Sequence, residues 1–281
     1  MKIFPASRRA FGWTAAVTAT LAATPALAQG SAIDAADTAW IAMSTALVLM
    51  MTMPGLALLY AGMVRKKHLL AVMAQCLAAV MLVSILWMIA GYSLTFIGDG
   101  AMLGSLDRFL LIGMGMESVN DLAPNLPESL FMAFQMTFAI ITVALIAGSV
   151  ADRMRFSAFV LFAVIWLFVV YVPIAHWVWG GGFLGDWGLL DFAGGTVVHI
   201  NAGVAGLVAC LVLGARHGYS SENLSPYDLS LAVIGTGLLW VGWFGFNGGS
   251  ALSADGRGTM AILVTHLGAS MGAFAWMAAE W

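Results

Sequence analysis

Three kinds of residue in this 281-residue chain can do chemistry, and they crowd into a few short stretches. The first is a histidine. The stretch Asp191 to Leu207, DFAGGTVVHINAGVAGL, sets His199 inside an apolar, small-residue run with no further acid or base before Arg216. A group that gains and loses protons is costly at membrane depth and marks a functional site by default. Asp191 is the second. It precedes a helix predicted to begin near Ala193, where a carboxylate accepts backbone N–H groups and complements the positive end of the dipole. The same charge can also act on a cation, directly or from a distance.

Aromatic rings are the third kind. Phe134 and Phe138 stand one helical turn apart, His176-Trp177-Val178-Trp179 runs into three glycines, and WFGFNGGS holds Trp243, Phe246 and Ser250. A ring cluster at a segment end reads first as an interfacial belt. Three such clusters beside a serine can instead cage a cation over ring faces, with the hydroxyl as acceptor. Spacing alone leaves both readings open. His176, near a segment boundary, is suited to hydrogen-bond a loop carbonyl, while His266 falls on a face that the sequence does not assign. No Ser/His/Asp set, HExxH or P-loop occurs, which argues against an enzyme and calls for no cofactor. Cys76 and Cys210 each sit in an apolar span and read as small buried hydrophobes rather than a disulfide or metal site.

These residues need a membrane around them, and composition supplies one. Apolar residues make up 62% of the chain and charged ones 9%, with a mean hydropathy of +0.95. Long uncharged runs of that kind are transmembrane helices. The net charge of −3 gives no reason to expect a nucleic-acid partner. Residues 1–28 read as a signal peptide: Lys2, Arg8 and Arg9, a short apolar core, then Ala26-Leu27-Ala28 as the cleavage site. After it come seven apolar segments near 39–63, 69–97, 130–150, 157–179, 193–214, 229–250 and 259–280, each near or above the roughly 20 residues a span needs.

Arg65, Lys66, Lys67, Arg153, Arg155 and Arg216 fall in alternate loops, which puts those loops in the cytoplasm and the start of the mature chain outside. Pro54 and Pro173 lie within segments, where kinks are tolerated if neighbours re-satisfy the backbone. Gly195, His199 and Gly203 share one face, Ala202 and Gly206 another, and small residues at this spacing let helices approach closely.

DFAGGTVVHINAGVAGL, PIAHWVWGGG, WVGWFGFNGGS, MAFQMTF and TMPGLALLYAGMVRKK together closely resemble the ammonium transporter (Amt/MEP/Rh) family, in its bacterial Amt branch. The resemblance runs from about residue 36 to the end and makes 29–281 the N-terminal portion of an ammonium transporter transmembrane domain. It implies an all-α polytopic bundle, homotrimeric, with one hydrophobic pore per subunit. The family core has eleven helices in two inverted five-helix repeats; this chain would hold about seven, the second repeat incomplete.

The resemblance also implies roles. Ser250, Trp179 and Phe138 match the outer ammonium site, with Asp191 supporting it. Phe138 and Phe246 match a stacked gate, and His199, Trp243 and Phe134 belong to the pore. His199 matches the first of two hydrogen-bonded histidines. The second belongs to helices this chain does not contain, so the chain reads as C-terminally truncated and is not expected to close a pore alone.

The expected activity is ammonium and ammonia transport across the bacterial inner membrane, with capture as ammonium, deprotonation near the gate, and separate passage of ammonia and proton. A PII-type regulator would dock on the longer parent. The competing expectation is an ammonium sensor that uses the same fold to signal to a partner or fused domain. A general small-solute channel is disfavoured because no NPA pair occurs.

Overall fold

The computed structural model describes residues 33–281, and the expected signal segment, 1–28, lies outside the described residues. Each of the seven apolar segments is a helix long enough to cross a bilayer: α1 Ala35–Met63, α2 Lys66–Phe96, α3 Glu128–Val150, α4 Phe156–Asp186, α5 Gly195–Leu213, α6 Leu229–Gly249 and α7 Gly256–Glu280. Most ends fall within a few residues of the predicted ones. Two differences have local causes. α1 starts early because the Asp34 carboxylate accepts the N–H groups of Ala36 and Asp37 at 2.8 and 2.9 Å. α4 runs past Trp179 through a tight Gly180–Gly182 bend into a short turn, Phe183–Asp186. Asp228 and Asp255 cap α6 and α7 as Asp34 caps α1, each accepting first-turn N–H groups.

α3 is the hub, packed by α1, α2 and α5, while α6 lies between α1 and α7. About two thirds of the apolar stretch of α3, 67%, is buried, against 6% for α7. The buried hydroxyls of α3, Thr137 and Thr142, donate to the carbonyls of Phe134 and Phe138 at 2.6 Å, so they need no partner across the bundle. Both prolines sit where the regular helix is already interrupted. Pro54 lies in a widened turn, Met51–Leu56, and Pro173 follows another, Leu167–Tyr171. Of the two small-residue faces on α5, one packs: a side chain on Gly206 would collide with Ser149 of α3. The other does not, since Gly203 faces open space and Gly195 and His199 are exposed.

Alternate loops gather at opposite ends, as the charge pattern requires. At the basic end, Arg65 bonds Asp152 at 3.1 Å and Glu222 at 2.9 Å, tying three loops together. At the other end, Asn125 donates to Asp37 at 2.6 Å and to the Leu252 carbonyl at 2.7 Å. Cys76 and Cys210 are unpaired thiols.

Candidate functional site

At the end opposite the basic loops, a cavity of about 490 Å³ opens between α3, the end of α4 and the loops that lead into α5 and out of α6. Phe134, Phe138, Trp179, Asp191 and Ser250 line it, so five of the residues singled out above meet at one place. The aromatic clusters are therefore not only a belt. Phe138 is 1% exposed and forms the floor. Its ring meets Trp179 edge-on at 5.6 Å between centroids and 88°, and Phe134 at 5.0 Å and 76°. On its other side lies Phe246, 4.5 Å away and tilted by 39°. Phe246 in turn neighbours His199, with centroids 5.8 Å apart. The rings thus form a ladder, Trp179, Phe138, Phe246, His199, that runs from the cavity past two buried phenylalanines and ends at an imidazole on the exposed face of α5. Neither Phe246 nor His199 lines the cavity itself, so the two phenylalanines stand between it and the imidazole.

Asp191 sets the geometry of the upper rungs. One oxygen accepts the N–H groups of Gly194 and Gly195 at 2.6 and 2.8 Å, the other those of Thr196 and Val197 at 2.8 and 2.9 Å. A helix start leaves four such donors without partners, and here one carboxylate takes all four. The capping role read from the sequence is what the structure contains. Asp191 also reaches Trp179, whose Nε1–H donates to its backbone carbonyl at 2.8 Å.

Gly194 is left-handed at φ 99°, and a side chain there would press on Val198 and approach Trp179. The turn that follows, Gly195–Ile200, is widened, and His199 N–H bonds back to the Gly194 carbonyl at 2.9 Å. Widened turns of this kind recur at functional positions. Ser250 donates its hydroxyl proton to the Phe246 carbonyl at 2.7 Å, which leaves its oxygen lone pairs available on the cavity side.

Trp243 is not brought to the ladder. It lies exposed on α6, three residues before Phe246. His266 joins a separate cluster with Trp240 and Phe244, at 5.8 and 5.9 Å. His176 is fully buried, with one ring nitrogen 2.7 Å from the Thr95 carbonyl of α2 and the other beside the Gly100 carbonyl of the outer loop; its single N–H donates to one of them and so ties α4 to that end of the bundle.

Sequence reasoning missed the rest of the cavity wall, including the polar side chains of Asn125, Gln135, Ser253 and Arg257. It also missed the brace beneath the outer loop. Arg108 forks onto Glu128 at 2.9 and 3.2 Å, and Tyr92 and Asn120 complete a buried chain of hydrogen bonds. The hydrogen bond to Glu128 raises the Arg108 pKa, against the opposing effect of burial. The only available signal was a carboxylate at the head of an apolar run and an arginine, Arg108, that with Arg257 breaks the inward bias of the basic residues. A larger groove between α4 and α5, about 580 Å³, is almost wholly apolar and offers only Thr196 and Asn201 as polar lining.

A polytopic α-helical membrane protein with an aromatic vestibule capped by one carboxylate is a transporter-like architecture, not an enzyme's. The profile described as the Ammonium Transporter Family matches residues 39–281, and the chain belongs to that family. Among its relatives, an ammonium transporter of Bacillus subtilis is 47% identical over 245 residues, 87% of this chain and 60% of that protein. One of Aquifex aeolicus is 46% identical over 258 residues, 91% of this chain and 60% of that protein. The crystal structure of Candida albicans Mep2 superimposes with a TM-score of 0.82 at 40% identity, covering 89% of this chain and 55% of that one. A structure described as a Sensor Amt Protein gives 0.75 at 27% identity, covering 84% and 59%. The chain thus spans about 60% of the length of the curated relatives it matches.

Proposed function

We propose that the protein moves ammonium or ammonia across a bacterial inner membrane. Ammonium is captured in the cavity over the rings of Trp179 and Phe138, with the Ser250 oxygen as acceptor and Asp191 supplying negative charge from behind. Ring faces attract a cation, and the hydroxyl favours a directional N–H donor over a bare ion of similar size. Phe138 and Phe246 form the gate. Carrying full charge past them into an apolar path costs several kcal/mol or more, so the proton leaves at the gate. Ammonia continues past the gate along a path that begins at His199, which takes up the proton; of the other two residues expected in the pore, Phe134 lines the cavity before the gate and Trp243 stands exposed on α6, apart from the ladder.

The observation that carries this reading is the continuous ring ladder from the cavity to His199. In the same proposal residues 1–28 are a cleaved signal peptide and 29–281 belong to the transport domain. The mature N-terminus lies outside, the protein is a homotrimer, and a PII-type regulator docks on the cytoplasmic side. Methylammonium uptake, in cells lacking their own ammonium transporters and expressing the complete reading frame, tests it. Wild type should accumulate the label and Trp179→Leu should lose most of it. No uptake by well-expressed wild type would sink the transport reading. That outcome would favour the second one, an ammonium sensor, which the likeness to the Sensor Amt Protein motivates.

A further inference from the structure

The rim of the vestibule beside Ser250 is a turn that its own residues do not favour. Gly249–Leu252 closes at the end of α6, with the Leu252 N–H donating to the Gly249 carbonyl at 2.9 Å. Ser250, Ala251, Leu252 and Ser253 all line the cavity. Leu252 stands at φ 55°, in the left-handed region. A residue with a Cβ rarely adopts that conformation, and leucine, unlike asparagine or aspartate, has no polar side chain to support it locally. Such a residue persists where its surroundings overdetermine it.

The surroundings here are two side chains from other elements. Asn125, in the loop before α3, donates one hydrogen of its side-chain NH2 to the Leu252 carbonyl at 2.7 Å and the other to the Asp37 carboxylate at 2.6 Å. Both partners are acceptors, which fixes the orientation of that amide. The second Asp37 oxygen accepts the Ala254 N–H at 2.7 Å. The chain is therefore gripped on either side of Ser253. α1 braces the clasp from behind: the Asp34 N–H donates to the Asn125 carbonyl at 2.9 Å, and Trp40 Nε1–H to the Gly248 carbonyl at 3.3 Å.

Ser250 is the residue on which this grip acts. It ends α6 at φ −65° and ψ −11°, and its hydroxyl proton is spent on the Phe246 carbonyl. The direction of its free lone pairs is then set by the backbone from 250 to 252. We propose, on the reading of Ser250 as the ammonium acceptor, that Asp37 and Asn125 are positioning residues of that site. They hold Leu252 left-handed and so fix where the Ser250 oxygen points. A fixed acceptor direction rewards an N–H donor over a spherical ion.

Methylammonium uptake by the complete protein, resolved into apparent KM and maximal rate, tests the proposal together with hydrogen–deuterium exchange at Ser250–Ala254 without substrate. In Asn125→Ala, exchange at those amides should rise at least about tenfold and the apparent KM about fivefold, as the loss of one aimed hydrogen bond predicts, with the maximal rate little changed. Adding Leu252→Gly, which takes a positive φ without strain, should bring the KM back to within about twofold of wild type although the clasp stays broken. Unchanged exchange in Asn125→Ala overturns the clasp. An unchanged KM in Asn125→Ala, beside a raised KM in Ser250→Ala, overturns the positioning role and leaves the ammonium site standing. A raised KM that Leu252→Gly fails to lower overturns the route through Leu252, as direct contact between Asn125 and ammonium would do. An unchanged KM in both single variants overturns the ammonium site itself, and the positioning role with it.

Discussion

Replacing Asp191 by asparagine tests how the vestibule is built. The carboxylate accepts four backbone N–H groups at 2.6 to 2.9 Å, two on each oxygen. Asparagine keeps one oxygen, which can serve two donors. Its NH2 group then faces the other two N–H groups, donor against donor. Hydrogen bonds to a charged acceptor are worth about 1.5–3 kcal/mol each, so losing two removes about 3–6 kcal/mol. Asp191 is partly exposed, and water recovers some of this, leaving about 3 kcal/mol, above the ~1 kcal/mol typical of an ordinary N-cap change.

That is roughly a hundredfold in local opening. Hydrogen–deuterium exchange resolved at Gly194–Val197 reads it directly, with amides in the middle of α3 as an internal control. Exchange at those four amides should speed up about a hundredfold in Asp191→Asn, and Trp179 emission should change because its indole loses a fixed partner. Unchanged exchange there, in a variant that has nonetheless lost ammonium binding, would refute the capping account and give Asp191 a direct role in binding.

Other outcomes follow from the same geometry. Gly194→Ala forces a side chain onto a backbone at φ 99° and against Val198; it should cost about 1–3 kcal/mol, read as a lowered Tm. Arg108→Met leaves Glu128 buried without its partner, and thermal unfolding should report about 3–5 kcal/mol of destabilisation. Ser250→Ala should raise the apparent KM for methylammonium several-fold with little change in Tm, because the hydroxyl bonds only a backbone carbonyl within its own helix. At the head of α7, the N–H of Gly258, with Ser253 and Arg257, brings the Asp255 carboxyl to about 2 from its ordinary 3.8. A depressed folded-state pKa stabilises above the unfolded value, so this cap holds above about pH 4 and is lost as pH falls toward 2. Exchange at Arg257–Thr259 across that range should show it.

The spans were legible because hydropathy is a local sum: twenty apolar residues in a row commit a segment whatever it packs against. Asp191 was legible for the same reason, since a cap and its donors lie within six residues. The ladder needed more. Phe138, Trp179 and Phe246 come from three helices, and nothing in their spacing distinguishes a cage from a belt. The resemblance joined them, and the geometry then gave distances.

Long-range pairings left no pattern to read. His176 lies against carbonyls roughly 80 residues away, and Arg108 reaches Glu128 across an irregular loop. The widened turns at 51–56, 87–91, 167–171 and 195–200 share no compositional mark; a proline lies within the first and just after the third. Trp243 shows the opposite limit, a residue whose resemblance implies a pore-facing role and which sits exposed among the described residues.

The central claim is that the rings lead ammonium to a path in which His199 handles the proton. Currents from proteoliposomes carrying the complete protein, under equal inward gradients of ammonium or potassium, test it most directly. Wild type should pass a current with ammonium and almost none with potassium, and His199→Ala should lose at least about tenfold of that discrimination, or about 1.4 kcal/mol. Undiminished selectivity in a folded, conducting His199→Ala protein would contradict the account.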